Sequence, residues 1–248
     1  MVAIKAVFCI MLIISIASTG LCGEWRERFD DPALKGWEII SKGEIRSWDV
    51  KWEVKDGRLY VSVTPPPPPP IGEGSFGDLL RWRGAKGRFS DLKIVVYGIR
   101  SLAGPLRISG AIGVFLGKEV PAPDYAEGYF VGGGVYKGRV DRKGRFREIL
   151  HRAGGRERSL LMISFHNGRF RVTTRDEWGE LVLTEFKDED YVWVDVIGLM
   201  AFTRVGLRCE GSIEAISISG PGIPNYNADV KPEGKLTTLW GRVKSQMK

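Results

Sequence analysis

Asp56-Gly57 separates two short runs in which apolar and polar side chains alternate, and no other feature of the chain constrains its fold as strongly. An Asp-Gly pair supplies the positive φ angles of a tight hairpin loop, and the strand that follows puts Leu59, Val61 and Val63 on one face. Strand signals of the same kind recur over 79–82, 92–99, 106–116, 128–136, 160–165, 169–174, 181–186, 191–202 and 213–219, after an opening strand over 25–29. Ile108, Ile112, Val114 and Leu116 share a face opposite Ser109, Ala111 and Gly113, and Leu161, Ile163 and Phe165 oppose Met162 and Ser164. Asn167-Gly168 marks a second tight hairpin. Many short strands, with 32 glycines and 13 prolines to turn them, predict an all-β chain of two antiparallel sheets, and 248 residues suffice for one large β domain.

The stretch Phe29-Asp30-Asp31-Pro32-Ala33-Leu34-Lys35-Gly36-Trp37, followed by Trp48 and then by Trp52-Glu53-Val54-Lys55-Asp56-Gly57-Arg58-Leu59, resembles the opening of laminin-G-like and 3-keto-disaccharide hydrolase-like domains. These belong to the concanavalin A-like lectin and glucanase superfamily. The hairpin from Ile163 to Phe170 is similar to another element of that superfamily, and 198–202 with 213–220 looks like its closing strands. The order of these motifs over 24–221 implies a two-sheet antiparallel jelly-roll sandwich. Enzymes, lectins and adhesive modules all share such an opening, so the resemblance leaves activity open.

Residues 1–23 read as an export signal: Lys5, an apolar run from Ala6 to Ala17, then the small residues Ser18, Gly20, Cys22 and Gly23. The run is too short to span a bilayer, so the expectation is cleavage near Glu24, secretion to an extracellular or periplasmic space and no stable membrane insertion. Lipid anchoring at Cys22 is a minor alternative, because Leu21 fits poorly where a small residue normally precedes a lipidated cysteine. Cys209 is then the lone cysteine of the mature domain; it cannot form an internal disulfide and reads as a buried thiol. Pro65 to Pro70 lack backbone donors and must form an exposed loop. Beyond 221 a polar linker leads to Leu236, Leu239, Trp240 and Val243, whose spacing is that of an amphipathic helix, so 222–248 is expected to be a linker and a short helical tail.

Chemistry is sparsely signalled. No glutamate is followed two residues later by aspartate, which argues against the retaining glucanases that carry Glu-x-Asp-x-x-Glu on one strand face. Only His151 and His166 are present, and no Gly-x-Ser-x-Gly elbow occurs. No cofactor is expected beyond a structural calcium, for which Asp30, Asp31, Asp188 and Asp190 are the candidates. Ile71-Gly72-Glu73-Gly74-Ser75-Phe76-Gly77 matches a kinase glycine loop by letter but lacks every companion motif, so it reads as a loop.

Charge says more. The formal net charge is +7, or +6 without Lys5. Between Lys137 and Arg158 stand Lys137, Arg139, Arg142, Lys143, Arg145, Arg147, Arg152, Arg156 and Arg158 against Asp141, Glu148 and Glu157, a surplus that equals the whole mature excess. One glycine-punctuated hairpin is expected to carry it, either as a solvated surface or as a site that grips sulfate, carboxylate or phosphate. Tyr129 and Tyr136 at its edge and Trp178 in a later loop could stack on sugar rings, while Trp37, Trp52 and Trp193 read as core. The ligand set expected from sequence is therefore Tyr129, Tyr136, Lys137, Arg139, Arg145, Arg147 and Trp178. Their partner is a glycan or polysaccharide, anionic in the sharper reading, and not nucleic acid. A non-catalytic lectin-like module leads; a glycoside-active enzyme and a structural interaction module are the alternatives, with oligomeric state open.

Overall fold

The computed structural model describes residues 22–40, 49–64, 75–103, 110–121, 125–132, 135–140, 145–146, 158–176, 181–204 and 209–225. These form a two-sheet antiparallel jelly-roll sandwich. The first sheet contains β1 (Cys22–Glu27), β3 (Asp49–Lys55), β4 (Arg58–Thr64), β6 (Asp91–Ala103), β11 (Arg158–His166), β12 (Arg169–Asp176), β13 (Leu181–Lys187), β15 (Cys209–Ile213) and β16 (Ala215–Pro221). The second contains β2 (Trp37–Ile39), β5 (Ser75–Trp82), β7 (Gly110–Glu119), β8 (Ala126–Val131), β9 (Val135–Val140), β10 (Arg145–Phe146) and β14 (Val196–Arg204).

The long strand β6 is the spine of the first sheet. β11 lines one edge; β16 and then β15 share the other. Gly98, at φ +60°, sits where the second edge changes partner, and a Cβ there would collide with Glu214 between β15 and β16. Arg58 of β4 closes this joint: it donates to the Gly98 carbonyl at 2.6 Å and to Ser212 Oγ at 3.2 Å, and it pairs with Glu214.

Period-2 alternation decides what lies between the sheets. Leu59, Val61 and Val63 of β4, Ile112, Val114 and Leu116 of β7, and Leu161, Ile163 and Phe165 of β11 all point inward and are buried. A phenylalanine so buried contributes about 1.5 to 3 kcal/mol over an exposed one. Trp25 packs its ring 5.6 Å from Trp37 and 4.9 Å from Trp82, closing one end of the core. Trp52 of β3 donates Nε1–H to the buried Asp78 of β5 at 2.8 Å, a polar tie across the two layers.

A second apolar cluster covers the outer face of the second sheet: Leu79, Phe115, Ala126, Phe130, Val140, Val196 and Met200, all buried, with Ile40, Tyr125 and Tyr136 against them. Glycines make this possible. A Cβ at Gly113 or Gly132 would strike the Phe130 ring at 2.8 or 2.6 Å, and one at Gly117 would strike the Phe115 ring at 2.8 Å, so these rings lie down across bare backbone. The sheet also rolls. In a flat sheet the five spacings between β9 and β10 would span about 24 Å, whereas five residues from Val140 to Arg145 reach at most about 18 Å. The cluster draws on five strands and is contiguous, so it lies on the inside of that roll.

Several expectations need revision. The run expected over 128–136 is two strands, β8 and β9, which pair antiparallel with Val131 opposite Val135. Strand β14 starts at Val196 and not near 191, because Glu189–Tyr191 forms a 3-10 turn capped by the Asp188 side chain. The basic window is not a single hairpin: β9 pairs with β8 at one margin of the second sheet, β10 pairs with β5 near the other, and Arg158 opens β11 in the first sheet. Ser75, Phe76 and Gly77 of the kinase-like run are strand residues opposite β14. The export signal up to Leu21, the prolines 65–70, His151 and the C-terminal helix lie outside the described residues, as does the Cys209 side chain.

Candidate functional site

The charged and aromatic side chains of one end of the sandwich converge on Asp188. The Asn167-Gly168 turn positions it: Asp188 donates its N–H to the Gly168 carbonyl at 2.8 Å, and Gly168, at φ +80°, leaves room for that approach, since a Cβ there would lie 2.4 Å from the Asp188 carbonyl oxygen. The Asp188 carboxylate is 12% exposed. Its Oδ2 accepts from the Tyr129 hydroxyl at 2.6 Å and from Lys137 Nζ at 2.5 Å, and its Oδ1 accepts from the Asp190 N–H at 3.0 Å.

These partners determine the protonation states. Burial pushes the Asp188 carboxyl up, but the Lys137 ammonium, the Tyr129 hydroxyl and the Asp190 N–H outweigh it and hold the group below the ordinary carboxylate range. Burial first, and then the adjoining Asp188 carboxylate, push the Tyr129 phenol well above its usual value. Tyr191 is raised in the same way by burial and by Glu127, Asp188 and Asp190. The trio of carboxylate, ammonium and phenol resembles an acid–base centre but is sealed: Tyr129 is 3% exposed and packs against Phe170, Phe186 and Tyr191 with ring centroids 4.8, 5.0 and 5.3 Å away. Its arrangement ties β8, β9 and the 3-10 turn together.

The residues expected to bind a ligand therefore separate. Tyr129 is a core residue, which corrects its assignment as a sugar-stacking ring; the strand alternation that buries Tyr129 and Val131 places Phe130 on the opposite face. Tyr136 is half-buried against Phe130, 5.8 Å between centroids. Lys137 is engaged by Asp188, and Arg139 pairs at 2.7 Å with Glu127, its cross-strand neighbour on β8. Arg145 is placed by its backbone in β10 opposite Phe76, and its side chain lies outside the described residues, as do Arg147 and Trp178. Of the calcium candidates, Asp188 already holds an ammonium, and Asp31 accepts the Ala33 N–H at 2.9 Å and pairs with Lys35. Among the described residues no three His, Cys, Asp or Glu side chains gather as a metal cluster.

Trp193 is not core. It is half-buried, with the Arg88 guanidinium 4.1 Å and Lys118 Nζ 4.3 Å from its ring centroid. Lys118 and Lys137 also stand 5.3 and 5.0 Å from the Tyr191 ring centroid. Nothing local in the sequence signals this gathering, because its members come from β7, β9, the β5–β6 loop and the segment before β14. The inner face of the rolled second sheet is filled by its own phenylalanines.

No family model matches the chain, and no curated protein matches its sequence. Similar solved structures include lectins and lectin-like proteins. The seed lectin of Lotus tetragonolobus is 14% identical with a TM-score of 0.46, over 79% of this chain and 98% of that one. Lectin I of Ulex europaeus, in complex with the methyl glycoside of α-L-fucose, is 11% identical with a TM-score of 0.47, over 82% and 99%. Arcelin-5, a lectin-like defence protein of Phaseolus vulgaris, is 9% identical with a TM-score of 0.47, over 80% and 97%.

Proposed function

We propose that this chain is an exported, non-catalytic carbohydrate-binding module that recognises acidic polysaccharide through the basic stretch between Lys137 and Arg158. The observation that carries the reading is where the described parts of this stretch lie in the fold. It leaves β9 at one margin of the second sheet, touches the other margin at β10 and enters the first sheet at β11. Lys137 and Arg139 are neutralised within the protein, so this reading assigns the ligand to the remaining cations of the stretch, Arg142, Lys143, Arg145, Arg147, Arg152, Arg156 and Arg158, which outnumber Asp141, Glu148 and Glu157. Guanidinium groups suit this task because their paired donors match sulfate and carboxylate oxygens. The sealed state of Asp188 and Tyr129 supports binding over catalysis at this end of the sandwich. On this reading the first 23 residues are the export signal, and the finer likeness to laminin-G-like domains describes a binding module better than the likeness to 3-keto-disaccharide hydrolases.

A glycan array carrying neutral, uronic and sulfated oligosaccharides, run at low and at physiological salt, tests this. The expected result is binding to the anionic glycans that weakens as salt rises, since exposed charges are screened beyond about 8 Å at 0.15 M. Neutral glycans bound as well as sulfated ones, or single-stranded DNA bound as tightly as either, would overturn it.

A further inference from the structure

The β5–β6 loop, residues 83–90, contains Arg83, Lys86 and Arg88 and no acid, and all three are exposed. Among the described residues none of the three forms an ion pair. The loop is held firmly: Arg83 donates its N–H to the Gly36 carbonyl at 2.9 Å, Ala85 is buried, and Phe89 exchanges backbone bonds of 2.8 and 2.9 Å with Val194. That last pairing lays Arg88 on Trp193. From there aromatic rings and cations alternate across the end of the sandwich in the order Arg88, Trp193, Lys118, Tyr191, Lys137. The four steps bring Arg88 within roughly 19 Å of Lys137, where the basic stretch begins, although the two are far apart in sequence.

We propose that the loop 83–90 and Lys118 form a further cationic track for this polysaccharide, so that its ligand is a long acidic chain and not a single charged sugar. This rests on the reading of an acidic polysaccharide ligand above. An aromatic face orients an ammonium or guanidinium group as a carboxylate would, but leaves its net charge unspent, so cations held this way remain attractive to an outside anion. The acids nearby are mostly engaged. Asp188 holds Lys137, Glu119 pairs with Arg81 at 3.1 Å, Glu189 pairs with Lys187 at 2.7 Å, and Asp195 accepts the Glu119 N–H at 2.8 Å. Asp190 takes the Lys118 ammonium on its main-chain carbonyl, at 2.5 Å, and its carboxylate is exposed at the rim. Asp190 and Asp195 form no ion pair among the described residues, so the surplus at this end is that of Arg83, Lys86, Arg88 and Lys118 less these two carboxylates.

The test compares size-defined heparin oligosaccharides, two to twelve sugars long, on the full protein, on the loop variant Arg83→Ser/Lys86→Ser/Arg88→Ser, and on Arg142→Ser/Lys143→Ser/Arg147→Ser. The loop variant should bind the longest oligosaccharide about tenfold more weakly than the wild type, three exposed charges each giving up a fraction of a kcal/mol, with little change for the shortest. Tryptophan emission should change on binding of the long chain, and Trp193→Phe should remove that change. Should Arg88 prove necessary for folding, Lys86→Glu alone changes an exposed residue that forms no ion pair among the described residues, and it must still weaken the long chain. Unaltered affinity for long chains in the loop variant overturns the further track while leaving the basic-stretch reading intact if the second variant is impaired. A wild-type protein that binds no heparin oligosaccharide at any length overturns both.

Discussion

At the scale of single residues, the carboxylate of Asp188 governs one end of the molecule. Asp188→Asn would leave the largely buried Lys137 ammonium without its counter-ion and weaken a charge-assisted bond from Tyr129. The expected cost is about 2 to 3 kcal/mol, read from the shift in a urea unfolding midpoint. The pH dependence has a definite sign. Because folding lowers the Asp188 pKa, its contribution is complete above the unfolded value of about 3.9 and disappears as pH falls through the lowered folded value. Tyr129 and Tyr191 act at the opposite end of the scale: their raised values keep their contribution intact below about pH 10 and forfeit it as pH rises further. Acid and base titrations of stability should therefore show that Asp188→Asn flattens the acid limb and Tyr129→Phe the alkaline limb.

At the scale of elements, two hairpins with the same signature differ in what surrounds them. Asp56 and Gly57 adopt φ of 53° and +68°, and Asn167 and Gly168 adopt 46° and +80°, the two left-handed residues each turn needs. A Cβ at Gly57 would meet nothing within 4 Å, so Gly57→Ala should cost only the backbone strain, about 1 kcal/mol. Gly168→Ala adds a collision with the Asp188 main chain and should cost at least twice as much by denaturant titration, while raising the hydrogen-exchange rate of the Asp188 amide. Matching losses at the two turns would show that the docking of this hairpin onto Asp188 carries no weight. The edge strand β9 is the other element worth attention: its cations are spent on Asp188 and Glu127, so Arg139→Ser should leave polysaccharide affinity nearly unchanged, whereas substitutions after Val140 should not.

At the scale of the whole molecule, the sandwich has two apolar layers where a bare binding sheet would have one. Phe165 lies between the sheets and Phe130 on the inside of the rolled second sheet, and both are essentially fully buried. Phe130→Ala should destabilise by about 3 to 5 kcal/mol, as much as Phe165→Ala, and both variants should still unfold in a single transition. A loss under 1 kcal/mol at Phe130 would mean that the rolled face is open in solution and free for a ligand.

Much of the fold was legible because strand alternation and turn chemistry are local. Leu59, Val61 and Val63, the Leu161, Ile163 and Phe165 face, and both Asp-Gly and Asn-Gly turns stand where a period of two and a positive φ require them. The site was legible only as composition. A count of arginines finds a basic stretch, but whether Lys137 and Arg139 are available depends on Asp188 and Glu127 across neighbouring strands, and the sequence carries no sign that Tyr129 faces the core while Phe130 turns away. The chain by itself determined the sheets, their turns and the total charge. Only the tertiary structure decided which charges are cancelled and which are gathered, because electrostatic partners are set by distance in space, and folding joins the loop at Arg88 to a strand that lies far along the chain.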